Sequence, residues 1–524
     1  MKLSLANLDE LRKKVQCLDY DVEKLRKNSL QDPQWVAFGS GNIFRGYIAR
    51  VIEDTIKYGF DRGISVVETF DEEIIDKIYT PYDNLSLSVT LDKDGDFSTR
   101  LICNLTEALK LSTDKKRIEE IFLNKNLKVA SFTITEKGYS LKNGAGEYFP
   151  NVKSDFEKGP DFASHLMSIT TAMLLKRYTS SKTPLTLLPL DNHSKNGDKL
   201  KSTILLIANT WKENGFVDAD FISYLENDIS YPNTMIDKIT PRPADVIEKY
   251  LNEHGIEAIG HVVTGKNTFI APYVNSETAE YLVIEDDFRN GSVPLAKAGV
   301  YVTDRKTVDK VDTMKLTTCL NPLHTALAVF GCLLGYKSIS SEMKDEDLNK
   351  LVTKIGYDEG LPVVVDPKII EPNAFLKEVL EIRLPNPYMP DTPQRIATDT
   401  SQKLSVRFGE TIKKYVEKNK VQKLDLIPLV QAGWIRYLLE IDDEGNSFEM
   451  SPDPLKETLK EQVKNLKIGQ EDVSSIESLL TNSTIFGVNL VEIDLADKVK
   501  KYLAQMLKGS GSVRKTIKAA LEEK

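Results

Sequence analysis

Trp35-Val-Ala-Phe-Gly-Ser-Gly-Asn-Ile-Phe-Arg45 is the stretch whose reading decides the fold. Trp35 to Phe38 is a short apolar strand, and Gly39-Ser-Gly41 is a tight turn. Beyond them Ile48, Val51, Ile52, Ile56 and Tyr58 recur as the buried stripe of a helix. Strand, Gly-x-Gly, then helix is the layout that brings a pyrophosphate against backbone N–H groups at a helix N-terminus. Phe44 stands where the third glycine of the usual fingerprint would be, so the motif alone also fits a plain tight turn. Gly63-Ile-Ser-Val-Val-Glu68 adds a second apolar strand ending in an acid, at the separation expected of a ribose-binding carboxylate. Glu68 would accept hydrogen bonds from the adenosine ribose and repel a 2′-phosphate, favouring NAD over NADP. Its plainer alternative is a solvated strand end.

Further along, Asp92-Lys-Asp-Gly95 between two apolar runs is a hairpin signal. Lys128 to Thr135 is another buried strand, and 161–178 is a helix. Pro184 to Leu190 is a strand that delivers Asp191-Asn-His-Ser-Lys-Asn-Gly197 at its carboxyl end. Ligands of open α/β sheets bind beyond that end, so Asn192 is placed to reach a substrate. Gly260 to Thr264 and Glu280 to Glu285 are expected to finish the sheet. Gly291 to Thr303 looks like the crossing between domains, and the pattern from Val311 onward is helical. The expectation is an α/β chain with a Rossmann-like dinucleotide-binding domain at 1–295 and a mostly α-helical domain at 296–524. Gly509-Ser-Gly-Ser512 has no strand before it and reads as a flexible turn before a terminal helix.

The length of 524 residues calls for more than one core. A net charge of -9 argues against nucleic-acid binding through a global positive field, yet leaves room for a local basic pocket. The four cysteines lack paired metal spacing, which suits a reducing cytoplasm and suggests no metal site. The N-terminus has no apolar signal core, and the longest apolar run, Leu323 to Tyr336, is about 14 residues, short for a bilayer span. A cytoplasmic protein with no membrane partner is expected.

The second informative stretch runs from Asp312 to Tyr336, where Lys315, Asn321 and His324 lead into an apolar helix-length run. Asn321 and His324 fall on one helix face. An amine beside an amide and an imidazole could work on a hydroxyl or carbonyl. The alternative is structural: Asn321 as cap, Pro322 in the first turn, and His324 in the core.

Taken in order, these segments resemble the polyol-specific long-chain dehydrogenases, the family of mannitol 2-dehydrogenase, fructuronate reductase (mannonate oxidoreductase) and tagaturonate reductase. The residues that carry the resemblance are Gly39-Ser-Gly-Asn with Arg45, Thr135-Glu-Lys-Gly-Tyr139, Asp191-Asn192 with Asn196-Gly197, and Asp237-Lys-Ile-Thr-Pro241. Lys315 with Asn321 and His324, Arg383 with Asn386-Pro387, Arg395-Ile-Ala, and Asp399 with Ser401 and Lys403 continue it. The resemblance implies a zinc-independent NAD(P)-linked enzyme, here with NAD by the reading of Glu68, with Lys315 as general acid/base and Asn192, Asn321 and His324 as its catalytic partners. It also implies substrate contacts at Arg395 and Asp237, and cofactor contacts at Gly39, Gly41, Asn42, Arg45 and Glu68. A sugar acid or polyol would be the substrate, with D-fructuronate/D-mannonate favoured over mannitol or tagaturonate chemistry, in a monomer or homodimer.

Two departures stand out. Six steps separate Lys315 from Asn321 where the family usually has five, and Pro322 removes a backbone donor. One extra residue turns a regular helix by about 100 degrees, which a π-bulge would absorb. A local bulge between Lys315 and Pro322 is therefore expected. The rivals are a short-chain dehydrogenase using Tyr178 and Lys182, whose Tyr-x-x-x-Lys falls at a helix end, and a catalytically impaired NAD-binding protein.

Overall fold

The computed structural model of the chain describes residues 1–257, 260–389 and 391–522. It divides into two compact units, Met1–Asp309 and Lys310–Lys524.

In the first unit, β1 (Trp35–Phe38), β2 (Ile64–Glu68), β3 (Leu105–Lys110), β4 (Val129–Phe132), β5 (Leu185–Pro189) and β6 (Ile229–Ser230) form one sheet. The order is β3-β2-β1-β4-β5-β6 and every pairing is parallel. This is the doubly wound arrangement, in which the winding reverses between β1 and β4 and opens a crevice beyond their carboxyl ends. Alternate side chains of β1 serve opposite faces. Val36 and Phe38 join a core with Phe132, Leu187 and Trp211, whereas Trp35 and Ala37 join one with Ile48, Ile52 and Val66. A sheet covered on both faces needs unbroken apolar strands, which is why these strands were legible.

Two expectations for this unit need correction. Glu280 to Glu285 does not finish the parallel sheet. Tyr281–Glu285 pairs antiparallel with Thr234–Asp237 and parallel with Tyr301–Thr303 in a separate three-stranded sheet. Among the described residues Val262–Val263 likewise pairs with Phe269–Ile270 alone. The large sheet stops at β6, where Pro232 follows closely and has no N–H for a continuing ladder. Residues around the expected 295/296 boundary pack with the first compact unit. Leu295 and Val300 belong to the core of the first unit, and Tyr301–Thr303 is one of its strands.

Every element named beyond the Arg305–Met314 helix is helical. Asn321–Leu333, the site helix, and Leu426–Tyr437 are among its most buried elements, the latter buried at every residue. Glu359 anchors that second helix: its carboxylate accepts from the backbone N–H of Asp425 and Leu426 at 2.7 Å and of Ile427 at 2.8 Å. Burial pushes its pKa up to about 7 despite those donors. The Gly509–Ser512 turn is tied rather than loose, since Gly511 N–H donates to the Asp443 carbonyl at 2.7 Å and the Ser512 hydroxyl to Met506 O at 2.8 Å. Helix Arg305–Leu333 runs unbroken through its π turn for 29 residues, long and apolar enough to span a bilayer. However, 83% of its most apolar window is buried in protein, as in a core helix.

Candidate functional site

The loop after β1 is built by close approach. Gly39 has φ +100, and a Cβ there would lie 2.4 Å from the Thr133 carbonyl oxygen at the end of β4. Its N–H donates to Val67 O at 2.9 Å and its carbonyl accepts from the Thr133 hydroxyl at 3.0 Å. Only glycine fits. Gly41 differs, because a Cβ there would meet nothing within 4 Å. Ser40 between them is fully buried, with its carbonyl accepting from the Tyr79 hydroxyl at 2.9 Å.

Glu68, expected to hold ribose hydroxyls, spends its carboxylate on the protein. One oxygen accepts from the Ser40 N–H at 3.0 Å and from the Ser40 hydroxyl. The other accepts from Phe70 N–H at 2.9 Å and Asp71 N–H at 3.0 Å. A carboxylate offers about four lone-pair directions, and these bonds occupy them. These bonds fasten the glycine loop to the end of β2, a positional part for Glu68 that its place in the motif did not announce.

Arg45 is 1% exposed, and its guanidinium donates to Ala271 O at 2.8 Å and Asn42 Oδ1 at 3.0 Å. It acts on the loop through Asn42. The missing third glycine reappears in function two residues past Phe44. A Cβ at Gly46 would stand 2.6 Å from Val274 Cγ1, so Gly46 lets the π turn Phe44–Ile48 pack against the strand Tyr273–Ser276. Sequence reading missed this because the spacing is not that of the usual fingerprint.

At the carboxyl end of β5, Asn192 is exposed in a short loop. Its neighbour Asp191 accepts from the Tyr139 hydroxyl at 2.5 Å and from the His193 N–H at 2.8 Å. Asn196 closes the loop, donating to Thr234 Oγ1 and accepting from Thr234 N–H, both at 2.9 Å. Gly197 follows because a Cβ would lie 2.3 Å from Tyr231 O. The loops bearing Gly39 and Asn192 thus leave the same edge of one parallel sheet. Asp237 is 3% exposed at the end of strand Thr234–Asp237.

In the second unit the expected bulge is present. Lys315–Cys319 is a π turn, with Leu320 N–H donating to Lys315 O at 3.3 Å, leading directly into the site helix. Thr411 stabilises it by donating its hydroxyl to Thr317 O at 2.9 Å. Pro322 sits in the first turn of the site helix, where its absent N–H would lack an intrahelical partner in any case. Lys315 is 7% exposed, and Asn321 and His324 occupy the first turn after the bulge. The Thr325 hydroxyl bonds back to Asn321 O at 2.9 Å and accepts from Arg407. His324 Nε2 stands 3.6 Å from Asp391 Oδ2, beyond hydrogen-bonding distance. Burial, then Arg407, Arg395, Arg383 and Lys403, push its pKa down to about 3. His324 is therefore a neutral imidazole at working pH. Arg395 pairs with Asp391. Pro390 lies outside the described residues. The Thr325–Arg407 contact was missed in the sequence, since nothing in the spacing of a threonine and a distant arginine marks it.

Comparison with known proteins adds to this geometry. The family profile described as Mannitol dehydrogenase Rossmann domain matches residues 33–297, and Mannitol dehydrogenase C-terminal domain matches 307–507. The chain belongs to the mannitol dehydrogenase family. Among its relatives in that family, the D-mannonate oxidoreductase of Thermotoga maritima is 50% identical over 95% of this chain and 94% of its own. The Polyol:NADP oxidoreductase of Gluconobacter oxydans is 26% identical over 87% and 89%. Two solved structures share the fold. A substrate-free D-sorbitol dehydrogenase has TM-score 0.83 at 23% identity, covering 99% of this chain and 100% of its own. The mannitol 2-dehydrogenase of Pseudomonas fluorescens, solved with NAD and D-mannitol, has TM-score 0.75 at 23% identity over the whole of both chains. The mannitol dehydrogenase family assignment fits the doubly wound sheet and helical second unit already described, and the chain is an oxidoreductase of that family.

Proposed function

We propose that this protein interconverts D-mannonate and D-fructuronate with NAD. The observation that carries this reading is the 50% identity to a D-mannonate oxidoreductase, spread over 95% of the chain and so over both units. The local chemistry is consistent with it. The second unit gathers cations around the neutral His324, which favours an anionic sugar over a neutral one.

The first unit suits the cofactor. Gly39 is required by the protein's own packing, but a Cβ on Gly41 would meet nothing within 4 Å among the described residues. Open space at the second glycine of a loop beyond β1 is what backbone approach to a pyrophosphate demands. Gly39, Gly41 and Asn42 would hold the dinucleotide, with Arg45 and Glu68 holding the loop. Bound NAD supplies the hydride acceptor.

In the oxidative direction Lys315, neutral, takes the proton of the reacting secondary alcohol; in reduction its ammonium returns it. The Asn321 amide donates to the oxygen as negative charge develops there, and we assign Asn192 the same kind of role. His324, held neutral, can both donate to and accept from a sugar hydroxyl. Asp237 and Arg395 are proposed substrate contacts. This scheme draws on no metal ion.

The test is NADH formation with D-mannonate, D-mannitol and other aldonates and polyols, and NADH consumption with the matching ketones. D-mannonate is expected to give the highest kcat/KM. Lys315→Ala should lower kcat by about a hundredfold or more while NADH binding persists. Turnover at the parent rate in that variant would remove lysine from the mechanism.

A further inference from the structure

Four cations stand close enough to His324 to depress its pKa: Arg407, Arg395, Arg383 and Lys403. Three of them have other engagements. Arg395 pairs with Asp391 and its side chain is 62% exposed. Lys403 donates to Thr398 O and feels Asp399 and Asp453. Arg383, 6% exposed, also has partners of its own. Arg407 is different. Its side chain donates to one neutral acceptor, the Thr325 hydroxyl, and among the described residues no carboxylate lies within ion-pairing distance of it.

That is an expensive arrangement if nothing ever binds. A guanidinium stays charged in proteins, so it cannot escape burial by losing its proton as a lysine or histidine can. Nor is the position accidental. Arg407 lies in the π turn Ser405–Gly409, whose neighbours Leu404 and Phe408 are fully buried. Thr411, one turn further, grips the π turn that starts at Lys315. The Thr325 hydroxyl that receives Arg407 also bonds back to Asn321 O. The fork of donors is therefore tied to the helical turn that carries Asn321 and His324.

We propose that Arg407 receives the substrate's carboxylate and so selects a sugar acid over a neutral polyol. The inference rests on the sugar-acid reading above and names the residue that enforces it. A carboxylate matches the planar fork in a paired hydrogen-bond geometry. Its charge also answers a guanidinium that burial disfavours and that Lys403 feels as a like charge. A neutral polyol would leave that half-buried charge without a counter-ion, which is how a polar site rejects an analogue lacking the group it was built for. His324, neutral beside it, does not compete for the anion and stays available to a hydroxyl.

The experiment is steady-state kinetics of the full-length Arg407→Gln enzyme with NAD, on D-mannonate and on D-mannitol. The KM for D-mannonate should rise about thirtyfold or more with kcat kept within roughly threefold, the size expected for a lost charge-assisted pair. The preference for D-mannonate over D-mannitol in kcat/KM should fall by a similar factor. Arg407→Lys should recover part of the loss, because the charge returns without the fork. Thr325→Val supplies a second route should the glutamine variant not fold: it keeps the guanidinium, removes its tether, and should raise the D-mannonate KM several-fold. An unchanged D-mannonate KM, or equal losses on both substrates, overturns the assignment of Arg407. Parent enzyme that turns over D-mannitol but no sugar acid overturns the sugar-acid reading itself, whatever Arg407 does.

Discussion

Glu68 is a buried charge and Arg407 a half-buried one, and the protein treats them in opposite ways. Glu68, in the nucleotide-binding unit, has its carboxylate satisfied by Ser40 and by two backbone N–H groups. The Arg407 side chain, in the helical unit, has a single neutral partner among the described residues. A charge whose hydrogen-bonding capacity is filled by its own chain is a structural strap; a charge left with donors to spare is a binding site waiting for its counter-ion. Position in a motif does not distinguish the two. Glu68 stands where a ribose-binding acid belongs and serves the loop, whereas Arg407 belongs to no motif.

The two glycines of the loop give the sharpest way to break this contrast between what the protein needs and what a ligand needs. Gly39→Ala puts a Cβ into the Thr133 backbone at φ +100. The expected outcome is the largest effect: thermal unfolding lowered by several degrees and NADH binding lost, since backbone, unlike a flexible side chain, cannot swing aside. Gly41→Ala meets nothing in the protein. Its unfolding temperature should match the parent, while its NADH dissociation constant, read by fluorescence titration, rises about tenfold or more. Parallel losses in both variants would mean that the second glycine is also structural.

Glu68→Gln sharpens the same contrast at smaller cost. If Glu68 rejected NADP by charge alone, the variant would gain NADP-linked turnover. As a clamp, it should instead lose NAD affinity by about tenfold, because the new amide sets donors against the N–H and O–H groups that now point at a carboxylate. Kinetics with both cofactors separate the outcomes, and a gain with NADP would return Glu68 to the ribose.

These cases show what the sequence could and could not reveal. Strands β1, β2, β4 and β5 were visible because burial on both faces writes itself as unbroken apolar runs. The bulge after Lys315 could be anticipated because one surplus residue in a helix must be absorbed somewhere. The fate of 281–285 could not be foreseen, since an apolar run fits a parallel or an antiparallel neighbour equally well. Glu68's partners and the Thr325–Arg407 bond were hidden for another reason. Hydrogen-bond saturation belongs to three-dimensional neighbours, and no spacing rule encodes it.

Glu342 tests the comparison from the other side. It is fully buried, and both carboxylate oxygens lack a hydrogen-bond partner among the described residues. Gly331 makes room for it: a Cβ there would lie 2.2 Å from Glu342 Oε1. Unlike a guanidinium, a carboxyl can answer burial by keeping its proton. Burial and the nearby Asp345 push the pKa of Glu342 up to about 9 from an ordinary 4.5. A carboxyl whose folded pKa is raised binds its proton more tightly in the native state than in the unfolded one. The resulting stability is complete below about pH 4.5 and drains away as pH rises towards 9. Glu342→Gln removes this titration. The variant should match the parent near pH 5 and exceed it by about 2–4 kcal/mol near pH 8.5, read from denaturant unfolding at both pH values. Profiles that stay parallel across that range would mean that Glu342 is ionised and paired in solution. An unpartnered charge would then no longer mark a ligand site, and the case for Arg407 would rest on its kinetics alone.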